Sequence, residues 1–212
     1  MKEKLIELID LLNEGLKRYG FLKKRKYTYQ RKIEGGLQQI TFSLTKIRGK
    51  EETLMDVYTG FNYPELNKVI CFLGDEEYKK TMFTAFINVG FLINPREPYK
   101  FYITQFTDVV PIAENILTNI EKVALPFLET CNTLEKYESM LLGRNEAVRR
   151  SSVRIWAWDL LALSLLLNRQ NSDELIEEYR SEFEKNVYAR NINLPETAKE
   201  QIKKYNQFKG GE

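Results

Sequence analysis

Between Tyr27 and Thr107 the chain repeatedly alternates apolar with polar residues, a period of two that suits half-buried β-strands and no helix. Tyr27 to Ile33 is the first such stretch, and Glu34-Gly35-Gly36 closes it as a hairpin turn, because glycine takes a positive φ without strain. From Leu37 to Ile47, Ile40, Phe42 and Leu44 share one face while Thr41, Ser43 and Thr45 share the other. Arg48-Gly49-Lys50 turns the chain into a strand from Thr53 to Tyr63, with Met55, Val57, Phe61 and Tyr63 on a common face. Pro64 opens a short helix, Glu65 to Phe72, and a polar loop follows from Gly74 to Lys80. Phe83 to Phe91 and Tyr99 to Thr107 alternate again. About five strands on short connections predict an antiparallel meander.

Helical periodicity flanks this stretch. Leu5, Ile9, Leu12, Leu16 and Tyr19 step by four and three up to Gly20, a left-handed stop signal. From Asp108 onward every signal is helical. Asp108 with Pro111 starts a stripe of Ile112, Ile116, Ile120 and Val123, and Pro126 breaks or restarts it. Asn132 with Glu135 forms a capping-box pair for a helix closing at Gly143. Val153 to Leu167 is apolar on nearly all sides. Arg154 and Asp159 interrupt it, and its 15 residues fall short of the roughly 20 that a bilayer requires, so it reads as a buried central helix. Asn171 with Glu174 caps a helix with Leu175, Tyr179, Phe183 and Val187 inward and Glu177, Glu178, Glu182 and Glu184 outward. A last helix from Pro195 carries Ala198, Ile202, Tyr205 and Phe208 on one side, before a Gly210-Gly211 tail. The fold class is α+β: an antiparallel meander sheet of about five strands packed against helices over residues 1–143, extended by an all-helical region over 144–212.

Composition narrows the chemistry. Lys and Arg total 32 against 30 for Asp and Glu, so any electrostatic partner preference is local. Histidine is absent, which removes Ser-His-Asp and Cys-His nucleophiles and nearly every zinc site. Cys71 and Cys131 sit among apolar neighbours and read as buried thiols. The first 18 residues lack the uninterrupted apolar run of a signal peptide, so the expectation is a cytoplasmic protein with no membrane association. No glycine-rich phosphate loop is present, and neither a metal nor another cofactor is expected.

One asymmetry stands out. Between Gly15 and Ile33 there are eight basic residues, Lys17, Arg18, Lys23, Lys24, Arg25, Lys26, Arg31 and Lys32, and no acid. With Tyr27 and Tyr29 interleaved, this pattern suits a nucleic-acid backbone and its bases, and equally a solvated connection whose tyrosines pack beside the sheet. Asp56 with Glu77-Tyr78-Lys79 imitates the carboxylate and lysine spacing of a Mg²⁺ nuclease, but in a charged loop rather than on rigid elements. Arg149, Arg150 and Arg154 precede Trp156 and Trp158, residue types common at interfaces and in cores alike. The leading expectation is a non-enzymatic protein-binding domain. Its candidate binding residues are Lys23, Lys24, Arg25, Lys26, Tyr27, Tyr29 and Arg31, with Tyr58 and Tyr102 on strand faces. Nucleic-acid binding through Lys23 to Lys32 and a carboxylate-dependent Mg²⁺ enzyme are the alternatives.

Gly20-Phe21-Leu22-Lys23-Lys24 before a tyrosine-bearing strand, Leu44-Thr45-Lys46, Phe86-Ile87-Asn88-Val89-Gly90 and Leu125-Pro126-Phe127-Leu128 together resemble a bacterial family of domains of unknown function. The resemblance covers roughly the first 142 residues, and Gly49 to Met82 is longer than the family pattern. It implies a small sheet-plus-helix binding domain of the kind found among toxin-neutralising immunity proteins, and it carries no functional residue over.

Overall fold

The computed structural model describes residues 1–73, 83–152, 156–169, 172–181 and 194–209, with backbone alone for 194–198, 208 and 209. The expected loop Gly74 to Lys80 with Glu77, Tyr78 and Lys79, the residues Arg154, Asn171, Glu182, Phe183, Glu184 and Val187, the side chains of Pro195, Ala198 and Phe208, and the Gly210-Gly211 tail lie outside the described residues.

In chain order the elements are α1 (Lys2–Lys17), β1 (Leu22–Arg25), β2 (Thr28–Ile33), β3 (Gly36–Lys46), β4 (Thr53–Asn62), α2 (Pro64–Leu73), β5 (Ala85–Asn88), α3 (Val89–Ile93), β6 (Lys100–Ile103) and α4 (Val109–Asn119). A π turn (Ile120–Ala124) then leads into α5 (Leu125–Thr130), α6 (Leu134–Leu142), α7 (Glu146–Ser151), α8 (Trp156–Leu166), α9 (Ser172–Glu178) and α10 (Leu194–Lys209). They fall into two compact units, Met1–Phe61 with Phe86–Asn132, and Asn62–Ala85 with Thr133–Glu212. The division does not follow a single seam at Gly143: the excursion through α2 joins the C-terminal helices.

The first unit is the expected α+β body, an antiparallel sheet with helices following it. Helix α1 buries Leu8, Ile9, Leu12 and Leu16 and ends at Gly20, whose φ of 79° lets Gly20 N–H reach Lys17 C=O and Phe21 N–H reach Leu16 C=O. The sheet has six strands in the order β1-β2-β3-β4-β5, and β6 pairs with β4. Glu34 and Gly35 close the hairpin between the paired Ile33 and Gly36, with Gly35 at φ 66°. Ile40 and Phe42 on β3, and Met55, Val57 and Phe61 on β4, are buried as the alternation predicts.

Three departures have physical causes. The basic stretch contains a strand, β1, which pairs antiparallel with β2 through a register shift between Lys23 and Arg25. All four of its residues are exposed, so no face is buried and no period of two arises. The Phe83 to Phe91 alternation ends at Asn88, because the Asn88 carboxamide oxygen accepts the Gly90 and Tyr99 N–H groups at 2.8 and 2.6 Å and starts α3. The Tyr99 to Thr107 strand is only Lys100–Ile103, since Thr104 and Thr107 bond each other's backbone and side chains and turn the chain.

Asp108 caps α4 as expected. Of the two outcomes open at Pro126, the helix restarts rather than breaks. The proline sits in the first turn of α5, and the π turn ahead of it lets Leu125 N–H bond Ile120 C=O. The buried stripe accordingly moves from Val123 to Ala124.

In the second unit α8 packs against α2, α6 and α9. Its residues 157–165 are buried all round, and among the described residues no helix is long and apolar enough to cross a membrane. The α6 cap is Thr133, whose hydroxyl accepts Lys136 N–H, rather than Asn132, which donates to Glu129 one turn back. Arg149 donates Nε and Nη2 to the Leu141 carbonyl at the end of α6 and lies 3.8 Å from the Trp156 ring centroid, while Trp158 is core.

Gly90 is a position of close backbone approach in the sheet unit. A Cβ there would overlap Tyr99 N, Glu97 O and the Pro98 carbonyl carbon, all backbone, whereas at Gly15 it would meet only the tip of Leu117. Gly90→Ala should therefore destabilise the protein by about 3 kcal/mol and Gly15→Ala by no more than about 1 kcal/mol, measured by denaturant unfolding. Equal costs would contradict the packing at Gly90.

Candidate functional site

The sequence candidates separate into three groups. Lys23, Lys24 and Arg25 stand exposed on β1, the strand at one end of the sheet, and Lys26 follows in the turn to β2. The Lys26 ammonium lies 5.0 Å from the ring centroid of the half-buried Tyr27. Among the described residues no carboxylate forms an ion pair with Lys23, Lys24, Arg25 or Lys26, although ion pairs elsewhere engage Lys4, Lys17, Lys50 and Lys68. Leu22, at the start of the same strand, is 68% exposed. Sequence reasoning passed over it, yet a large apolar side chain beside three cations was the available signal.

Tyr29 and Arg31 do not belong to that surface. Both sit on β2 opposite residues of β3, Tyr29 across from Ile40 and Arg31 across from Gln38, on the face that the helices cover. Tyr29 is fully buried with its ring edge-on to Phe42, and its hydroxyl has no hydrogen-bond partner among the described residues. Burial first, and the Asp10 charge second, push its phenol from 10.0 up to about 12. Arg31 donates Nε to Gln38 at 2.5 Å and Nη1 to the Tyr19 carbonyl at 3.3 Å, and Nη2 pairs with Glu129. Its guanidinium lies 5.0 Å from the Phe21 ring centroid. Every arm of this cation is engaged within the sheet unit, so neither Tyr29 nor Arg31 is presented beside the β1 cations.

Tyr58 and Tyr102 lie elsewhere in the sheet. Tyr58 on β4 stacks on Phe86 with ring centroids 5.0 Å apart, and Tyr102 on β6, paired with Leu54, is 59% exposed. Near Tyr102 the Thr104–Thr107 turn presents Phe106, 87% exposed, with its N–H held by the Thr104 hydroxyl. These aromatics and the β1 cations sit on different strands and form no common pocket. Arg18, Tyr19, Glu114 and Glu121 rim a groove of about 230 Å³ between α1 and α4, where the two acids offset the one cation.

The remaining chemistry is sparse. Asp56 is buried and accepts Asn88 Nδ2 at 3.3 Å; its expected companions Glu77 and Lys79 lie outside the described residues. Among the described residues no group of three or more Cys, Asp or Glu side chains is placed to hold a metal ion. Cys71 and Cys131 are buried, and burial pushes the Cys131 thiol up to about 11, away from thiolate chemistry at neutral pH. No family model matches the chain, and neither a curated protein nor a solved structure matches it at a significant level.

The buried Tyr29 hydroxyl yields a test of sign. Because the folded state holds this phenol neutral up to about 12, the stability it carries is complete below pH 10 and is lost as pH rises through about 12. Tyr29→Phe should leave the protein as stable at pH 7 or up to about 1 kcal/mol more stable, and should remove that alkaline loss. A loss at neutral pH, read by thermal and denaturant unfolding, would mean that the hydroxyl has a partner.

Proposed function

We propose that the chain is a non-enzymatic cytoplasmic module that binds another protein through the basic edge formed by β1 and its turn. The observation that carries this reading is the placement of Lys23, Lys24 and Arg25 on a terminal strand of the sheet and of Lys26 in the turn after it, exposed and unpaired with acids among the described residues. Exposed cations beside an exposed leucine suit a protein surface with acidic and apolar parts, since charge complementarity gives orientation and on-rate while apolar burial supplies affinity.

Nucleic acid is the second reading, favoured by the same four cations. It is weakened by Tyr29, which is buried, and by Arg31, which is spent on Gln38, Tyr19 and Glu129. A single-strand binder needs aromatic faces free to stack on bases, and of this stretch Tyr27 alone retains partial exposure.

The test is capture from a nuclease-treated lysate of the source cell, comparing the wild-type chain with the Lys23→Glu, Lys24→Glu, Arg25→Glu, Lys26→Glu variant. All four side chains are solvent-exposed, so circular dichroism should be unchanged. The expected result is a discrete protein retained by the wild type after nuclease treatment and lost by the variant. Capture that is indifferent to the four charges, or that disappears with nuclease, overturns the protein-binding reading.

A further inference from the structure

We infer that β1 binds its partner by strand addition, taking an acidic extended segment as a further strand at the open end of the sheet. This rests on the protein-binding reading above and specifies how that surface works and what it accepts.

The geometry supplies the template. β1 is the terminal strand, and among the described residues its only pairing is with β2 and none of its backbone groups bonds outside that pair. A strand hydrogen-bonded on one side leaves alternate N–H and C=O groups pointing outward, which is what an incoming extended chain requires. The inward side of the ribbon is held firmly: β2 pairs with β3 at six successive positions from Thr28↔Thr41 to Ile33↔Gly36, and Arg31 ties β2 to the carbonyl of Tyr19. A partner therefore meets an edge already in strand geometry, and the ordering cost falls mainly on its own segment.

Charge selects the occupant. Lysine on a short, bulged edge is how sheets repel indiscriminate pairing, and β1 has both the cations and the register shift between Lys23 and Arg25. A second copy of this chain is a poor occupant, because antiparallel β1–β1 pairing would set Lys23, Lys24 and Arg25 against the same cations. An acidic strand converts that repulsion into cross-strand pairs and can cover Leu22 with an apolar side chain. One set of residues thus excludes neutral and basic edges and admits an acidic one.

The probe is a synthetic peptide of about six residues alternating Glu and Val, a typical strand length. Its controls are a Lys–Val peptide of equal length and a Glu–Val peptide N-methylated at every residue, which keeps the charge but cannot donate ladder hydrogen bonds. Against the full chain, the Glu–Val peptide should bind, slow amide exchange within Leu22–Arg25, and lose affinity as salt rises from about 0.05 to about 0.5 M. The Lys24→Glu, Arg25→Glu variant should bind it about tenfold more weakly. The controls should not bind. Equal binding of the N-methylated peptide, binding without slowed exchange in β1, or no binding of the Glu–Val peptide overturns strand addition. If lysate capture still depends on the four cations in any of those cases, the protein-binding reading stands; if capture is also indifferent to them, both fall.

Discussion

Two side chains facing each other across the β2–β3 hairpin, Arg31 and Gln38, settle where the helices of the sheet unit must lie. Gln38 accepts from Arg31 Nε and donates Nε2 to the Leu128 carbonyl in α5 at 2.8 Å. Arg31 reaches in turn to the carbonyl at the end of α1 and to Glu129 on α5. Apolar contacts such as Phe61 against Phe127 are non-directional and would tolerate a helix displaced along the sheet. A buried amide and a mostly buried guanidinium do not tolerate it, because a displaced partner leaves a desolvated polar group unpaired. The greasy contacts thus provide the driving force, and this polar clip makes one arrangement the acceptable one.

The same clip explains the character of the β1 surface. Because Arg31 and Tyr29 are drawn to the covered face, the cations left outside between Leu22 and Ile33 are those of β1 and its turn, with Lys32 on β2, and they are left without acidic partners among the described residues. Packing has sorted a basic stretch into one structural arginine and a compact outer group. The sorting favours recognition of a surface by charge and edge geometry over any scheme in which tyrosines stack on bases.

Reading the chain by period worked where one face of an element is buried and the other is not. Strands β2, β3 and β4 were legible nearly to their ends, since Ile40, Phe42, Met55, Val57 and Phe61 mark a single covered side. β1 was illegible as a strand because it covers nothing. At Val89 the letters continue to alternate, but the Asn88 cap and the close backbone approach at Gly90 override them, and neither can be read from hydropathy. Of the candidate site, the lysines were legible because a dense run of charge stays at the surface in almost any fold. Tyr29 and Arg31 were not, because alternation tells which residues share a face without telling which face the helices take. The joining of Asn62–Ala85 with the C-terminal helices rests on long-range packing and has no local signature.

The wide turn at Ile120–Ala124 carries a consequence for how this molecule can change over time. One surplus residue is accommodated there, and each residue rotates a helix by about 100°. A chain shortened by a single residue at this point could still wind a sound helix, yet it would swing the Leu128 carbonyl off the sheet and strand the amide of Gln38. Along this rod the count of residues, more than the identity of each side chain, fixes which carbonyl meets Gln38.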